Sequence, residues 1–322
     1  MSNIYLLHGT EAILMDEWID LFINKYLPSG KDDLNYSLFN LDEVSIQYVI
    51  QQAETIPFIG DYRVIIADCA DFFGAINSNQ AHDLDMLNNF ILNPPDYSKI
   101  IFRTSLEKLD KRKKITKQLE KLDAITTFNQ LQGRQLDEWV VSRVKKYNCD
   151  IDTDAVVQLI HSVGSNLTLL VNEIDKLCLY VNKGRITKNE VKLLVTRTLE
   201  QNIFLVMDKI AQKKINQGLQ IVYDLVKNKE SPILILFLMA KKFRTMLISK
   251  ELSEKGYSSQ QIATQTNQHP YTIKITMEQG NFFTKQNLRE IIKSLAAADE
   301  HIKTGQMTEL VALEKFILTI PK

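Results

Sequence analysis

The sequence predicts an α/β N-terminal domain built on a parallel sheet, then a small helical domain, then an all-α C-terminal domain. Three observations predict it. Over the first 130 residues short apolar runs alternate with helix-period segments. After Gln130 the strand signal disappears. From Gln201 onward every segment reads as helix, with apolar residues recurring every three or four positions. A chain of 322 residues exceeds one ordinary core, and the expected division is 1–130, 131–200 and 201–322.

In the first part, strands are expected at 4–7, 36–41, 63–67, 99–103 and 124–128, with helices at 12–25, 45–53, 82–92 and 111–121 between them. Such alternation gives parallel strands whose crossovers cover both faces of the sheet. Pro94-Pro95 marks a connection, since consecutive prolines cannot continue a helix. In the second part, 136–147, 153–162, 167–182 and 188–196 read as four helices. Asp152 or Thr153 can cap the second, Asn182-Lys183-Gly184 stops the third, and Thr187 to Glu190 has capping-box spacing. In the third part, Leu288, Ile291, Ile292, Leu295 and Ile302 lie on one helix face. Ser231-Pro232 opens a helix whose residues 233–240 are apolar all round, which predicts a central place in a bundle.

Composition narrows the function. Hydrophobic content of 45% and charged content of 24% are those of a soluble globular protein. The longest apolar run is eight residues, far short of a membrane span, and the N-terminus lacks a signal pattern. Cys69, Cys149 and Cys178 are too widely spaced for a disulfide framework or a zinc site, which points to a reducing cytoplasm. Lys plus Arg equals Asp plus Glu at 39 each, so the chain as a whole has no electrostatic footprint for tight, independent nucleic-acid binding.

A nucleotide site opens correctly after the first strand and then is missing. Gly9 stands where a phosphate-cradling turn begins, but Thr10-Glu11-Ala12-Ile13-Leu14 follows. A P-loop needs a second Gly, a Lys for the β/γ-phosphates and a Ser or Thr for magnesium. Here there is no Lys, and Glu11 would repel phosphate. Gly30-Lys31 is the nearest echo, but Asp32 follows it and no Gly sits five residues before Gly30. The front half therefore reads as an ATPase module unable to bind ATP in the usual way, in a protein that works by contact.

The remaining chemistry is sparse. Asp68 and Asp71 follow a hydrophobic strand where NTPases place a metal ligand, but without a phosphate loop they read as a solvated strand-end turn. His8, His82, His161, His269 and His301 form no i,i+4 pair and have no Cys at ligand spacing, so no metal is expected. No GxSxG occurs, and no catalytic residue or cofactor is expected. Residues 108–121 carry seven basic side chains, Lys108, Lys111, Arg112, Lys113, Lys114, Lys117 and Lys121, on an expected amphipathic helix. Its charge reads as a solvated face in preference to a phosphate contact, and it holds no aromatic ring to stack on bases. The segment Thr55-Ile56-Pro57-Phe58-Ile59-Gly60 groups three large apolar side chains around a proline. It is either a loop folded onto the core or a rigid wedge offered to a partner's pocket.

Together these features resemble the delta subunit of the bacterial DNA polymerase III clamp loader. The markers are IYLLHGTEAIL, ETIPFIGDYRVII, LDKRKKITKQL, VGSNLTLLVNEIDKL, HPYTIKI, AAADEHIKTG and ALEKFIL, in that order along nearly the whole chain. The resemblance implies a AAA+-like (RecA-like) module, a small helical lid and a C-terminal helical collar. It implies a protein that binds the ring-shaped sliding clamp (the beta subunit) and helps to open it, while partner subunits bind and hydrolyse ATP. The clamp-binding element falls on Ile56, Pro57 and Phe58, with Thr55 and Ile59 as neighbours. Pro57 stands where some members carry a larger aliphatic residue, which centres the contact on Ile56 and Phe58. Other clamp-loader subunits are implied as partners through the collar, and primed DNA within the assembly. Lys111, Arg112, Lys113, Lys114 and Lys303 are candidates for touching that DNA. In ATP-binding relatives a sensor arginine follows a lid glycine; here Gly164 leads to Ser165, Asn166, Leu167 and Thr168, with no Arg until Arg185. Two competing readings are an NTPase with an aberrant site around Gly9, Asp68 and Asp71, and a stand-alone nucleic-acid binder using 108–121.

Overall fold

Strands that are buried on both faces need no polar side, and the apolar runs of the first part pair accordingly. The computed structural model describes residues 3–32, 34–58, 60–75, 81–266, 268 and 270–320. The chain forms two compact units, 1–130 and 131–322. In the first, β1 (Ile4–His8), α1 (Ala12–Tyr26), β2 (Tyr36–Asn40), α2 (Ile46–Ala53), β3 (Arg63–Asp68), α3 (Leu84–Leu92), β4 (Ser98–Thr104), α4 (Lys114–Lys121) and β5 (Ile125–Thr127) follow in order. The strands make one five-stranded sheet, β2-β3-β4-β1-β5, and every pairing is parallel. Successive side chains alternate between two cores. Leu6, Ile65, Ile100 and Phe102 face Val49, Ile50, Phe73 and Leu119, whereas Leu7, Val64, Ile66 and Ile101 face Met15, Ile19 and Ile23 of α1.

Local side-chain hydrogen bonds, one a cap and one a turn, move two helix starts away from those expected. Asp83 accepts from the Asp85 and Met86 amides at 3.1 and 2.9 Å, so α3 begins at Leu84 and not at His82. Asp110 accepts from the Arg112 amide at 3.0 Å, a local turn that delays α4 to Lys114. The basic segment is thus a turn followed by a short helix, not one amphipathic helix from 111.

The second unit begins with α5 (Arg134–Lys145), β6 (Asp150–Ile151), α6 (Thr153–Val163), α7 (Leu167–Val181), β7 (Arg185–Ile186) and α8 (Lys188–Leu194). The parallel pair β6-β7 corrects the expectation that no strand follows Gln130. Two residues per strand are too few to carry an alternating pattern, so the sequence gives no sign of them. Asp152 occupies the N-cap position of α6, but its carboxylate accepts from Arg185 at 3.1 Å instead of capping. Asn182 ends α7 in the left-handed region, and Thr187 and Glu190 form the capping box of α8.

Among the described residues seven helices follow: α9 (Leu199–Ala211), α10 (Ile215–Lys227), α11 (Pro232–Glu254), α12 (Ser259–Thr266), α13 (Pro270–Gly280), α14 (Lys285–Lys303) and α15 (Glu309–Leu318). Ser231 caps α11 through the Leu234 amide, with Pro232 in the first turn. Ile235, Leu236, Leu238 and Met239 enter the main core beside Leu288, Ile291, Leu295 and Phe316. The apolar run is not buried all round, however: Ile233, Leu234 and Phe237 are exposed. One turn on, Lys242 is buried with its Nζ 3.3 Å from the centroid of the Phe204 ring. Among the described residues no helix is long and apolar enough to cross a membrane.

Candidate functional site

The segment between α2 and β3 carries Ile56 and Phe58 outward. Ile56 and Phe58 are each 74% exposed, Thr55 is exposed, and Pro57 between them is half-buried. The loop is therefore not folded onto the core, the first of the two readings open for it. Ile59 lies outside the described residues, as does His269.

Although the side chains are outside, the backbone that presents them is held from within. Asn35, 2% exposed, accepts through Oδ1 from the Phe58 amide at 2.7 Å. The Tyr97 hydroxyl donates to the Glu54 carbonyl at 2.8 Å. On the far side of the loop, the carbonyls of the same two residues accept from the Val64 and Arg63 amides at 2.9 and 2.8 Å. The Arg63 guanidinium donates to Gln52 Oε1 at 3.2 Å, joining the end of α2 to the start of β3. Gly60 takes φ +97°, a conformation that favours glycine, and its Cα faces open space. The arrangement can offer two apolar side chains, braced by a proline, to a pocket on another molecule.

The turn after β1 is closed. Gly9 has φ +130°, and a Cβ there would sit 2.2 Å from the Phe128 carbonyl oxygen. That carbonyl accepts from the Glu11 amide at 3.0 Å, the Phe128 amide donates to the His8 carbonyl at 2.7 Å, and the His8 ring spans Thr127 Oγ1 and the Leu106 carbonyl. The Glu11 amide, in the turn where a phosphate would be cradled, is thus turned to the chain itself. Glu11 stands at the N-cap of α1, its carboxyl raised above the usual range by burial. Asp68 is gripped by Arg103, which also pairs with Asp16, and Asp71 accepts from Thr104 Oγ1 at 2.6 Å. Asp68 and Asp71 are structural partners here, not the solvated turn the sequence suggests.

The candidate DNA contacts do not form one free cluster. Lys111 pairs with Glu120 at 3.2 Å, Arg112 grips Asp110 at 2.9 Å, and Lys113 Nζ donates to the Phe72 carbonyl at 2.7 Å. Lys114 is exposed, and Lys303 pairs with Asp299 at 2.6 Å within α14. The Arg112 guanidinium holds the Asp110 carboxyl down at about 2. Gly164 ends α6, and Asn166 caps α7 through the Leu169 amide at 3.1 Å.

Three family models match the chain: "DNA polymerase III, delta subunit" over 5–129, a "middle domain" over 135–193, and "DNA polymerase III delta subunit, C-terminal domain" over 200–320. The chain belongs to the DNA polymerase III delta subunit family. It is 34% identical over 322 residues to DNA polymerase III subunit delta of Bacillus subtilis, covering 99% of this chain and 93% of that one. A probable DNA polymerase III subunit delta of Aquifex aeolicus is 22% identical over 325 residues, covering 98% and 90%. The solved structure of the Bacillus subtilis DNA clamp loader delta protein is similar at a TM-score of 0.70 and 34% identity, over 99% of this chain and 95% of that one. The family places the chain in DNA replication.

Nothing in the sequence marks Asn35 or Tyr97. One precedes a strand and the other follows a proline pair, and both read as ordinary connection residues until the fold brings them to the same loop.

Proposed function

We propose that this chain is the clamp-loader subunit that binds the sliding clamp and helps to open the ring for loading onto primed DNA. The observation that carries the proposal is the outward, backbone-braced pair Ile56 and Phe58 around Pro57. Aromatic and aliphatic anchors set on a rigid loop are what dominate protein interfaces. Thr55 and Ile59 flank the contact. The wedge enters a pocket on the clamp and favours the state in which one ring interface is weakened. A ligand shifts such an equilibrium only by its differential affinity for the two states. A coupling of about 1–3 kcal/mol changes the open fraction by about 5–150-fold.

In this reading the chain does not hydrolyse ATP and has no catalytic activity of its own; it works in the cytoplasm as a component of the polymerase holoenzyme. The filled turn at Gly9 and the engaged Asp68 support that over the NTPase alternative. ATP is bound by neighbouring subunits. Residues 1–130, 131–200 and 201–322 act as AAA+-like module, lid and collar, the last joining the chain to the loader. Lys114, exposed on α4, is left as the point that touches DNA within the assembly, since Lys303 is held by Asp299.

The test is binding of the full chain to the sliding clamp of the same organism, without ATP, against Phe58→Ala. The expected loss is about thirtyfold or more, about 2 kcal/mol. Binding that survives Phe58→Ala unchanged refutes the wedge.

A further inference from the structure

Asn35 and Tyr97 stand out because each holds both arms of the α2–β3 loop. The side chains take the incoming arm, at the Phe58 amide (2.7 Å) and the Glu54 carbonyl (2.8 Å). Their backbone carbonyls take the outgoing arm, at the Val64 (2.9 Å) and Arg63 (2.8 Å) amides. Two side-chain bonds and two bonds at the start of β3 thus hold the backbone on either side of the two apolar tips. We infer that Asn35 and Tyr97 are positioning residues for clamp docking, setting affinity through the loop without touching the clamp. The inference rests on the docking role proposed above and adds the device that makes the contact strong.

The physical ground is the entropy of ordering. A loop left free would have to be fixed at the moment of binding, at a cost set against every contact it makes. Pro57 narrows the backbone at the tip, but it cannot aim Ile56 and Phe58 unless the residues on both sides are held. The Phe58 amide is held by a side chain 23 positions away in sequence and the Glu54 carbonyl by one 43 away. Two of the groups that fix the loop therefore lie far from it in sequence, while from within it the Thr55 hydroxyl donates to the Gln51 carbonyl at 3.2 Å.

The experiment uses the full chain and two variants, Tyr97→Phe, which removes one hydroxyl and keeps the ring, and Asn35→Ala. Amide exchange at Thr55 and Phe58 in the free chain reads the loop directly; clamp affinity is then measured with and without Phe58→Ala. Removing a neutral hydrogen bond should weaken clamp binding about 3–10-fold and speed exchange at the loop amides about tenfold. In the Phe58→Ala background the same change should cost less than in the unaltered chain, because only Ile56 is left to aim. Equal losses in both backgrounds, or faster exchange with unchanged affinity, would overturn the assignment. Should Asn35→Ala fail to fold, Tyr97→Phe decides alone. If the unaltered chain does not bind the clamp, the docking role falls and takes this assignment with it, while the exchange data still show whether the loop is held.

Discussion

At the turn after β1 and at the loop before β3, the same sheet ends in two different surfaces. After β1, Gly9 lies against the Phe128 carbonyl, His8 is bound at both ring nitrogens and Asp68 is held by Arg103. Polar groups there are spent on neighbours in the chain. Before β3, hydrogen bonds hold the backbone, and the apolar side chains of Ile56 and Phe58 are left in water. Exposing two such groups forgoes about 1.5–3 kcal/mol of burial for each. The contrast separates two kinds of surface: in the first the groups meet one another, and in the second the support is satisfied while the tips are not.

The sharpest way to break this contrast is Gly9→Ala. A Cβ 2.2 Å from a backbone oxygen, at φ +130°, should destabilise the first unit by about 3 kcal/mol or more. A urea midpoint that does not move would mean that the turn has room for a ligand after all. Ile56→Ala should do the opposite. We expect clamp affinity to drop about tenfold, about 1.4 kcal/mol, with unfolding free energy within about 0.5 kcal/mol of the unaltered chain. Loss of stability without loss of affinity would make the residue part of the core.

A smaller effect is expected from Arg103→Met, which leaves Asp68 without its guanidinium. Both side chains are partly solvated, so about 1 kcal/mol of stability should be lost, read by thermal unfolding, with clamp binding unchanged. The smallest effect is that of ATP with magnesium. At 1 mM it should stabilise the chain by less than about 0.4 kcal/mol, the value for a Kd near that concentration. A larger shift would reopen the turn after β1 as a nucleotide site.

The sheet was legible because strands buried on two faces are written as unbroken apolar runs: Ile65 and Ile66 serve opposite cores, and both must be apolar. Helix starts were less so. Whether Asp110 continues a helix or closes a turn depends on its carboxylate meeting the Arg112 amide, a choice that propensity does not make. The wedge was legible as three apolar residues and a proline, yet its direction was not. That depends on Asn35 and Tyr97, which approach the loop only once the sheet has formed. The partners of the basic segment were hidden for the same reason, since Lys113 meets the Phe72 carbonyl from 41 positions away. Residues 233–240 showed the limit of composition: apolar on every side, they bury one face and leave Phe237 in solvent.

The lysine packed on Phe204 gives the C-terminal bundle an unusual response to alkali. Burial pushes the Lys242 ammonium down to about 7, Glu200 pulls against that shift and Lys241 adds to it, whereas a lysine in the open chain holds its proton to about 10.5. Below about 7 both forms of the chain carry the charge, and the folded one bears its full desolvation. As the pH climbs from there toward 10.5, the unfolded chain keeps a proton that the folded chain has released, so each step upward favours the bundle. Lys242 should thus make the bundle firmer in mild base than at neutrality, and Lys242→Met should flatten that part of its stability profile.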